Sequence, residues 1–210
     1  MKVTVIGAGN MGSGFVKQLT RAGHQVSVTA RNLDNARAVA AANPGATAVA
    51  ADNAAAGADL IVLATGYGDA VRALRSVGNL QGKVVIDITN PLTADYMGLT
   101  LGHSTSAGEE IAKAVPEADV VKAFNTVFAQ VLAEGADFGA GRKVSVFVAG
   151  DSAQAKQAVT ALAQSMGFET IDAGGLKNAR YLEPLAGLNI YLGYGAGLGT
   201  SIAPTFIRKS

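Results

Sequence analysis

The sequence predicts a Rossmann-type α/β fold, a doubly wound and mostly parallel sheet with a C-terminal helical appendage. Three observations predict it. A glycine loop joins the first strand to the first helix, apolar strand runs then alternate with helical segments, and the last stretch is uncharged and differs in character. The alternation assigns residues 1–180 to a dinucleotide-binding domain and residues 181–210 to a helical segment used for packing or dimerisation.

The β-branched run Lys2–Ile6 reads as the first strand, followed by Gly7-Ala8-Gly9-Asn10-Met11-Gly12 and an amphipathic helix to residue 22. Strand, G-x-G-x-x-G and helix in that order form the dinucleotide fingerprint. Gly7 permits the tight turn, Gly9 lets backbone amides approach a pyrophosphate, and Gly12 allows close helix packing. The phosphates then meet the positive end of the helix. His24 falls in the turn before the second strand, residues 25–30, and reads as structural.

That second strand ends in Thr29-Ala30-Arg31-Asn32, with no acid where NAD binding would place one for the ribose 2′-hydroxyl. A carboxylate there would repel a 2′-phosphate, whereas Arg31 can fork onto one. Thr29, Asn32 and Arg37 can add hydrogen bonds. NADP(H) is therefore the expected cofactor.

Residues 33–42 read as a helix closed by Asn43-Pro44-Gly45, residues 46–49 as a short strand and residues 52–56 as a helical turn. Residues 59–64 form a continuous apolar run, expected of a central strand covered on both faces. Residues 68–77 are its crossover helix, and residues 83–88 the next strand, stopping at Thr89-Asn90-Pro91. The irregular stretch 92–106 is longer than most connections, which marks it as functional or mobile. Ser106-Ala107-Gly108-Glu109 reads as a capping box for a helix to residue 115. Residues 120–124 form a strand ending in Asn125-Thr126. Residues 143–149 are a strand, 152–166 a helix and 168–172 the last strand. Right-handed crossovers bring the strands' C-terminal ends to one edge, where ligands bind.

Between Leu185 and Ile207 there is no charge, and glycines stand at 187, 193, 195, 197 and 199. The run is long enough to cross a membrane, but its glycines, Asn189 and Pro204 suit a spanning helix poorly. The pairs Gly193/Gly197 and Gly195/Gly199 would let another helix approach closely. The expectation is a buried helix packing on the sheet or on a second subunit.

Composition narrows the chemistry. The chain has 210 residues, 49% hydrophobic and 16% charged, with a net charge of +1. No basic field draws in nucleic acid or an anionic membrane. The absence of cysteine removes disulfides, thiolate nucleophiles, Cys-ligated zinc and iron–sulfur clusters. With only His24 and His103, a histidine metal site is not expected either. Met1-Lys2-Val3 enters the first strand at once, leaving no signal peptide, so a cytoplasmic location is expected.

Gly102-His103-Ser104-Thr105-Ser106 superficially resembles a nucleophile elbow, but Ser106 replaces the second glycine and the segment lies on a loop. His103 remains a candidate substrate contact. Ala64-Thr65-Gly66-Tyr67, Asn90-Pro91 and Asn125-Thr126 end three strands on the ligand edge and are expected to ring the nicotinamide. Each could instead serve a turn or cap. None of these ends offers a Lys or His poised to donate a proton, which suits a hydride acceptor that needs little acid–base help.

Gly7-Ala8-Gly9-Asn10-Met11-Gly12, Asp87-Ile88-Thr89-Asn90-Pro91, Val121-Lys122-Ala123-Phe124-Asn125-Thr126, Ala149-Gly150-Asp151 and residues 172–176 with Ala179-Arg180-Tyr181-Leu182-Glu183 resemble the NADPH:deazaflavin (coenzyme F-420-dependent NADP) oxidoreductases. The resemblance covers essentially the whole chain. It implies NADP on the glycine loop, a deazaflavin stacked on the nicotinamide at the strand ends, and homodimers formed through the C-terminal region. It also implies that Arg31 holds the 2′-phosphate while Asn90-Pro91-Leu92 and Asn125-Thr126-Val127 flank the paired rings. Archaeal members tend to carry Ser before the phosphate arginine, a second Arg after it, and His at the third strand end; here these are Ala30, Asn32 and Asn125. The domain is also similar to the NADPH-binding part of transmembrane ferric reductases, which implies FMN or FAD as another acceptor. A redox-sensing NADPH-binding module without turnover is a rival from another class. The 3-hydroxyacid and 6-phosphogluconate dehydrogenases share such loops, but need a large helical domain where only a short tail follows here.

Overall fold

The computed structural model describes residues 1–207 and 209. Eight strands form one sheet: β1 (Lys2–Ile6), β2 (Gln25–Thr29), β3 (Ala46–Ala48), β4 (Leu60–Leu63), β5 (Val84–Asp87), β6 (Asp119–Lys122), β7 (Ser145–Gly150) and β8 (Glu169–Asp172). Their order is β3-β2-β1-β4-β5-β6-β7-β8. Order reverses between β1 and β4, so the crevice at their C-terminal ends is the switch point where such sheets bind ligands. The glycine loop stands there.

Strand alternation builds two cores. Val3, Val5, Val26, Val28, Leu60, Val62, Ile86 and Val121 face one side, and Ile6, Ile61, Leu63, Val85 and Val120 the other. The first side is covered by α1 (Asn10–Arg21) and α6 (Ala153–Ser165), the second by α3 (Ala70–Arg75) and α4 (Ala107–Ala114). Helix α2 (Leu33–Ala41) flanks β2 and β3, and Asn32 caps it by accepting from the Asp34 amide at 2.9 Å. Ser152 likewise caps α6. The Ser106 box is present, with the Glu109 amide donating to its hydroxyl at 3.2 Å and that hydroxyl donating to the Glu109 carboxylate at 2.8 Å.

Three features depart from the sequence reading. Helix α5 (Ala129–Glu134) was not anticipated; at six residues it is too short to show a helical period. It is recognised only by its partner, for Gly14 of α1 faces the Leu132 side chain, and Gln18 Nε2 donates to Leu132 O at 2.9 Å. Strand β7 pairs antiparallel with β6, and β8 runs parallel to β7. The last two strands therefore end at the opposite edge and contribute nothing to the ligand edge from their C-termini.

The tail is the third departure. Helix α7 (Ala179–Ile190) begins inside the expected first domain, passes into a π-helical turn over Tyr191–Gly195, and then gives way to irregular chain. Gly197 and Gly199 have φ of 74° and 78°, left-handed values that end a helix. The paired glycines thus form no helix-crossing face. A Cβ on Gly195 would lie 2.8 Å from the ring of Tyr191, so that glycine accommodates its own chain. The expected helical segment 181–210 includes Arg208 and Ser210, which lie outside the described residues. Among the described residues, no helix is long and apolar enough to cross a membrane.

Candidate nucleotide and acceptor site

At the switch point the glycine loop is shaped by close backbone approach. Gly7 has φ of 119°, and a Cβ on it would lie 2.2 Å from Ala64 O; one on Gly12 would lie 1.9 Å from Gly7 O. Both positions therefore exclude a side chain. Gly9 borders open space, with nothing within 4 Å of its Cβ position. Its amide neighbourhood is the first turn of α1, which carries no acidic residue and no side-chain cap. A diphosphate placed above Gly9 would find free amides and the helix's positive end.

The crevice beside this loop encloses about 730 Å³ and is lined by Gly7, Ala8, Gly9, Thr29, Ala30, Arg31, Asn32, Ala64, Thr65 and Gly66, all among the residues expected to bind the nucleotide. Asn35, Asp69, Arg72 and Ser76 also line it and were not anticipated. The buried hydroxyl oxygens of Thr29 and Thr65 have no protein partner among the described residues. Buried hydroxyls left unbonded are costly, and two facing one crevice fit a polar ligand there. An NADP-sized dinucleotide fits these features: amides for its phosphates, hydroxyls for its sugars and Arg31 for a 2′-phosphate. Arg37 does not join them; it pairs with Asp34 at 2.8 Å on α2. Asn10 and Gly12 do not line the crevice.

Met11, the second residue of α1, belongs to a different cleft. It lines an apolar cleft of about 520 Å³ with Ile88, Asn90, Phe124, Asn125, Thr126, Val127, Phe128, Ala186, Asn189, Ile190 and Tyr194. Two loops built by strand ends form one wall and α7 the other. Phe124 takes φ of 60°, turning the chain sharply after β6. Asn90 Nδ2 donates to Asn125 O at 2.8 Å, and Asn125 Nδ2 donates to Asn90 Oδ1 at 3.0 Å and to Leu182 O at 2.9 Å. Asn189 Nδ2 donates to Thr126 O at 3.1 Å. The two loops and α7 are thereby locked together, while Asn125 Oδ1 is buried without a hydrogen-bond partner.

Asn90, expected to bind the cofactor, and Asn125, Thr126 and Val127, expected to bind the acceptor, all line this cleft. Pro91 and Leu92 do not line it, and Leu92 bridges to Leu99 instead. His103 lines a separate groove with Lys177, Arg180 and Tyr181. The loop 92–106 folds back through the Leu92–Leu99 bridge, which brings Asp95, Tyr96 and Met97 to the cleft and not His103. His24 bonds to Ser165 Oγ at 2.8 Å, and burial, followed by the N-terminal ammonium, lowers its pKa. Its role is structural, as expected.

Between β5, β6 and α7 lies a charge cluster that sequence reasoning missed. Lys122 Nζ is fully buried, 2.6 Å from Asp87 Oδ2 and 2.8 Å from Glu183 Oε1, and donates to Thr89 O at 2.7 Å. Glu183 also accepts from the Ala107 and Gly108 amides at 2.9 and 3.0 Å, capping α4. The signal available was a charge set against apolar neighbours in each of three elements, Asp87 after Val84–Ile86, Lys122 after Val120 and Val121, and Glu183 between Leu182 and Pro184. Tyr67, after β4, has its phenol pKa raised by burial and then by Glu110, Glu183 and Asp87, which keeps the hydroxyl protonated.

A family model described as NADP oxidoreductase coenzyme F420-dependent matches residues 2–91. The F420-dependent NADP reductase of Methanothermobacter thermautotrophicus is 30% identical over 209 residues, covering 91% of this chain and 89% of that protein. Metalloreductase STEAP3 of Rattus norvegicus is 29% identical over 185 residues, 88% of this chain; the chain spans only 36% of that protein. A crystal structure from Arthrobacter sp. FB24, provisionally described as an F420-dependent NADP reductase, has a TM-score of 0.87 at 32% identity, covering 99% of this chain and 100% of that one. An imine reductase from Pseudomonas sp., at 22% identity and a TM-score of 0.68, shares the fold. The glycine-loop crevice and the near full-length similarity agree: this chain is an NADP-dependent oxidoreductase and belongs to the coenzyme F420-dependent NADP oxidoreductase family.

Proposed function

We propose that the chain transfers hydride between NADP(H) and a deazaflavin ring seated in the apolar cleft. The observation that carries this reading is a ring-sized apolar cleft of about 520 Å³ lined by Met11, which stands two residues after Gly9, a lining residue of the dinucleotide crevice. NADP(H), when bound, supplies or accepts the hydride. The protein's part is positioning: Asn90 and Asn125 hold two strand-end loops at a set spacing, and α7 excludes water from the opposite side. Holding two planar rings face to face supplies most of such a reaction's acceleration. No proton donor is required between them.

The exposed aromatic and aliphatic side chains of α7 and its π-helical turn, Tyr181, Leu188, Tyr191 and Tyr194, support a homodimer formed through this region. Similarity to the STEAP metalloreductases favours a second reading, in which FMN or FAD takes the hydride.

Incubating the protein with NADPH and deazaflavin, FMN or FAD in turn, and following NADPH absorbance, tests these readings. Oxidation with deazaflavin alone is expected. Oxidation only with FMN or FAD would transfer the assignment to the flavin reading. Tight NADPH binding without turnover on any acceptor would leave a binding module and overturn both.

A further inference from the structure

The ribose end of the nucleotide crevice holds a charge arrangement that neither cofactor rule describes. Arg31 follows β2, Arg72 lies on α3, and Asp69 stands between them at the start of α3. Asp69 Oδ2 is 3.7 Å from Arg31 Nη1, and Asp69 Oδ1 is hydrogen-bonded to Arg72 Nη2. The three side chains are 85%, 71% and 47% exposed for Arg31, Arg72 and Asp69. Ion pairs so open to solvent contribute little to folding, so stability does not account for the arrangement. Asp69 also occupies the N-cap position of α3 yet makes no side-chain cap bond. An aspartate at an N-cap ordinarily accepts from a helix amide; this one is turned to the arginines instead.

An anion already sits between the two guanidiniums that a 2′-phosphate would use. A phosphate there would gain charge-assisted bonds from both arginines, but it would meet the Asp69 carboxylate as a like charge. A ribose 2′-hydroxyl faces no such conflict, because it can donate to that carboxylate. The acid missing from the tip of β2 is thus supplied from another element.

We propose that Arg72 is a second 2′-phosphate ligand beside Arg31, and that Asp69 is a built-in competitor that sets how strongly NADP(H) is preferred over NAD(H). Phosphate binding displaces Asp69 from the arginine pair. The short turn Tyr67–Asp69 is flanked by Gly66 and contains Gly68, both bordered by open space, which leaves the carboxylate room to move. Arg72 takes the place of a second arginine on the β2 loop, where this chain has Asn32. The inference rests on the reading that the crevice binds NADP(H) with its phosphate at Arg31.

Calorimetric dissociation constants for NADPH and NADH, measured on the full chain and on Arg31→Ala, Arg72→Ala and Asp69→Ala, test it. Arg72→Ala is expected to weaken NADPH about tenfold and leave NADH within about twofold. Asp69→Ala is expected to tighten NADPH and weaken or spare NADH, raising the preference about fivefold to tenfold. Preference unchanged or lowered in Asp69→Ala, or equal weakening of both nucleotides in Arg72→Ala, overturns the proposal. Arg31→Ala separates the two levels. If it abolishes the preference while the other variants change nothing, only this inference fails; if it too changes nothing, the phosphate does not lie there and the reading beneath fails as well. Because all three side chains are exposed, thermal melts of the variants should match the parent.

Discussion

Phe124 holds a left-handed backbone, φ 60°, that costs a non-glycine residue roughly 1–3 kcal/mol. Its ring is wedged edge-on between Phe15 at 5.0 Å and Phe168 at 5.5 Å, so the core over-determines the conformation. The reward is local: the sharp turn delivers Asn125 to Asn90 across the cleft. Two residues earlier, Lys122 is held by Asp87 and Glu183 with no exposure to solvent. Removing one partner of a buried ionic group strands the others, and two buried carboxylates would remain here. Lys122→Met should therefore lower unfolding free energy by about 3–5 kcal/mol. Urea titration would show this as a lower midpoint. A midpoint within error of the parent would mean that water already screens the cluster.

Among elements, α7 is tied both to the loop after β6 and to α4. Leu182 and Asn189 hold the loop after β6, Glu183 caps α4, and Arg180 grips Glu109. Arg180 Nη2 and Nε donate to the Glu109 carboxylate at 2.7 and 2.8 Å. That hydrogen bonding, opposed by burial, holds the Glu109 carboxyl below its ordinary value of 4.5. A depressed acid stabilises the fold above its unfolded value, and that contribution disappears as pH falls through the native value. The stability gap between the parent and Arg180→Ala should thus be full at neutral pH and close progressively below 4.5. Denaturation at neutral and strongly acid pH checks it; a gap that stays constant would show that Arg180 acts through packing alone.

At the scale of the molecule, the sheet carries six parallel strands to one edge and reverses at β7, leaving α7 to close the cleft from the side. The outer face of α7 and its π-helical turn presents Tyr181, Leu188, Tyr191 and Tyr194, each more than half exposed. If a second copy covers this face, Tyr191→Glu should shift light-scattering mass toward the monomer and reduce turnover while leaving NADPH affinity within about twofold. A parent protein that is monomeric at micromolar concentration would refute the dimer. Gly195→Leu is a poor probe of it, since its side chain would strike Tyr191 of the same chain.

Local chemistry was legible in the sequence because it is written in consecutive residues. Residues Lys2 to Gly12 specify strand, turn and helix start by β-branching and by two positions with no room for a Cβ, and the acid-free tip at Arg31 is read the same way. Strand alternation, helix caps and the strand-end asparagines are equally local. What only the tertiary structure decided joins residues far apart in the chain. Asp87, Lys122 and Glu183 meet across two strands and a helix, Asp69 and Arg72 come to Arg31 from the far side of the switch point, and α5 is identified by its contact with α1. The reversal at β7 belongs with these. Strand direction is set by how the chain returns to the sheet, and apolar alternation reads the same in either sense.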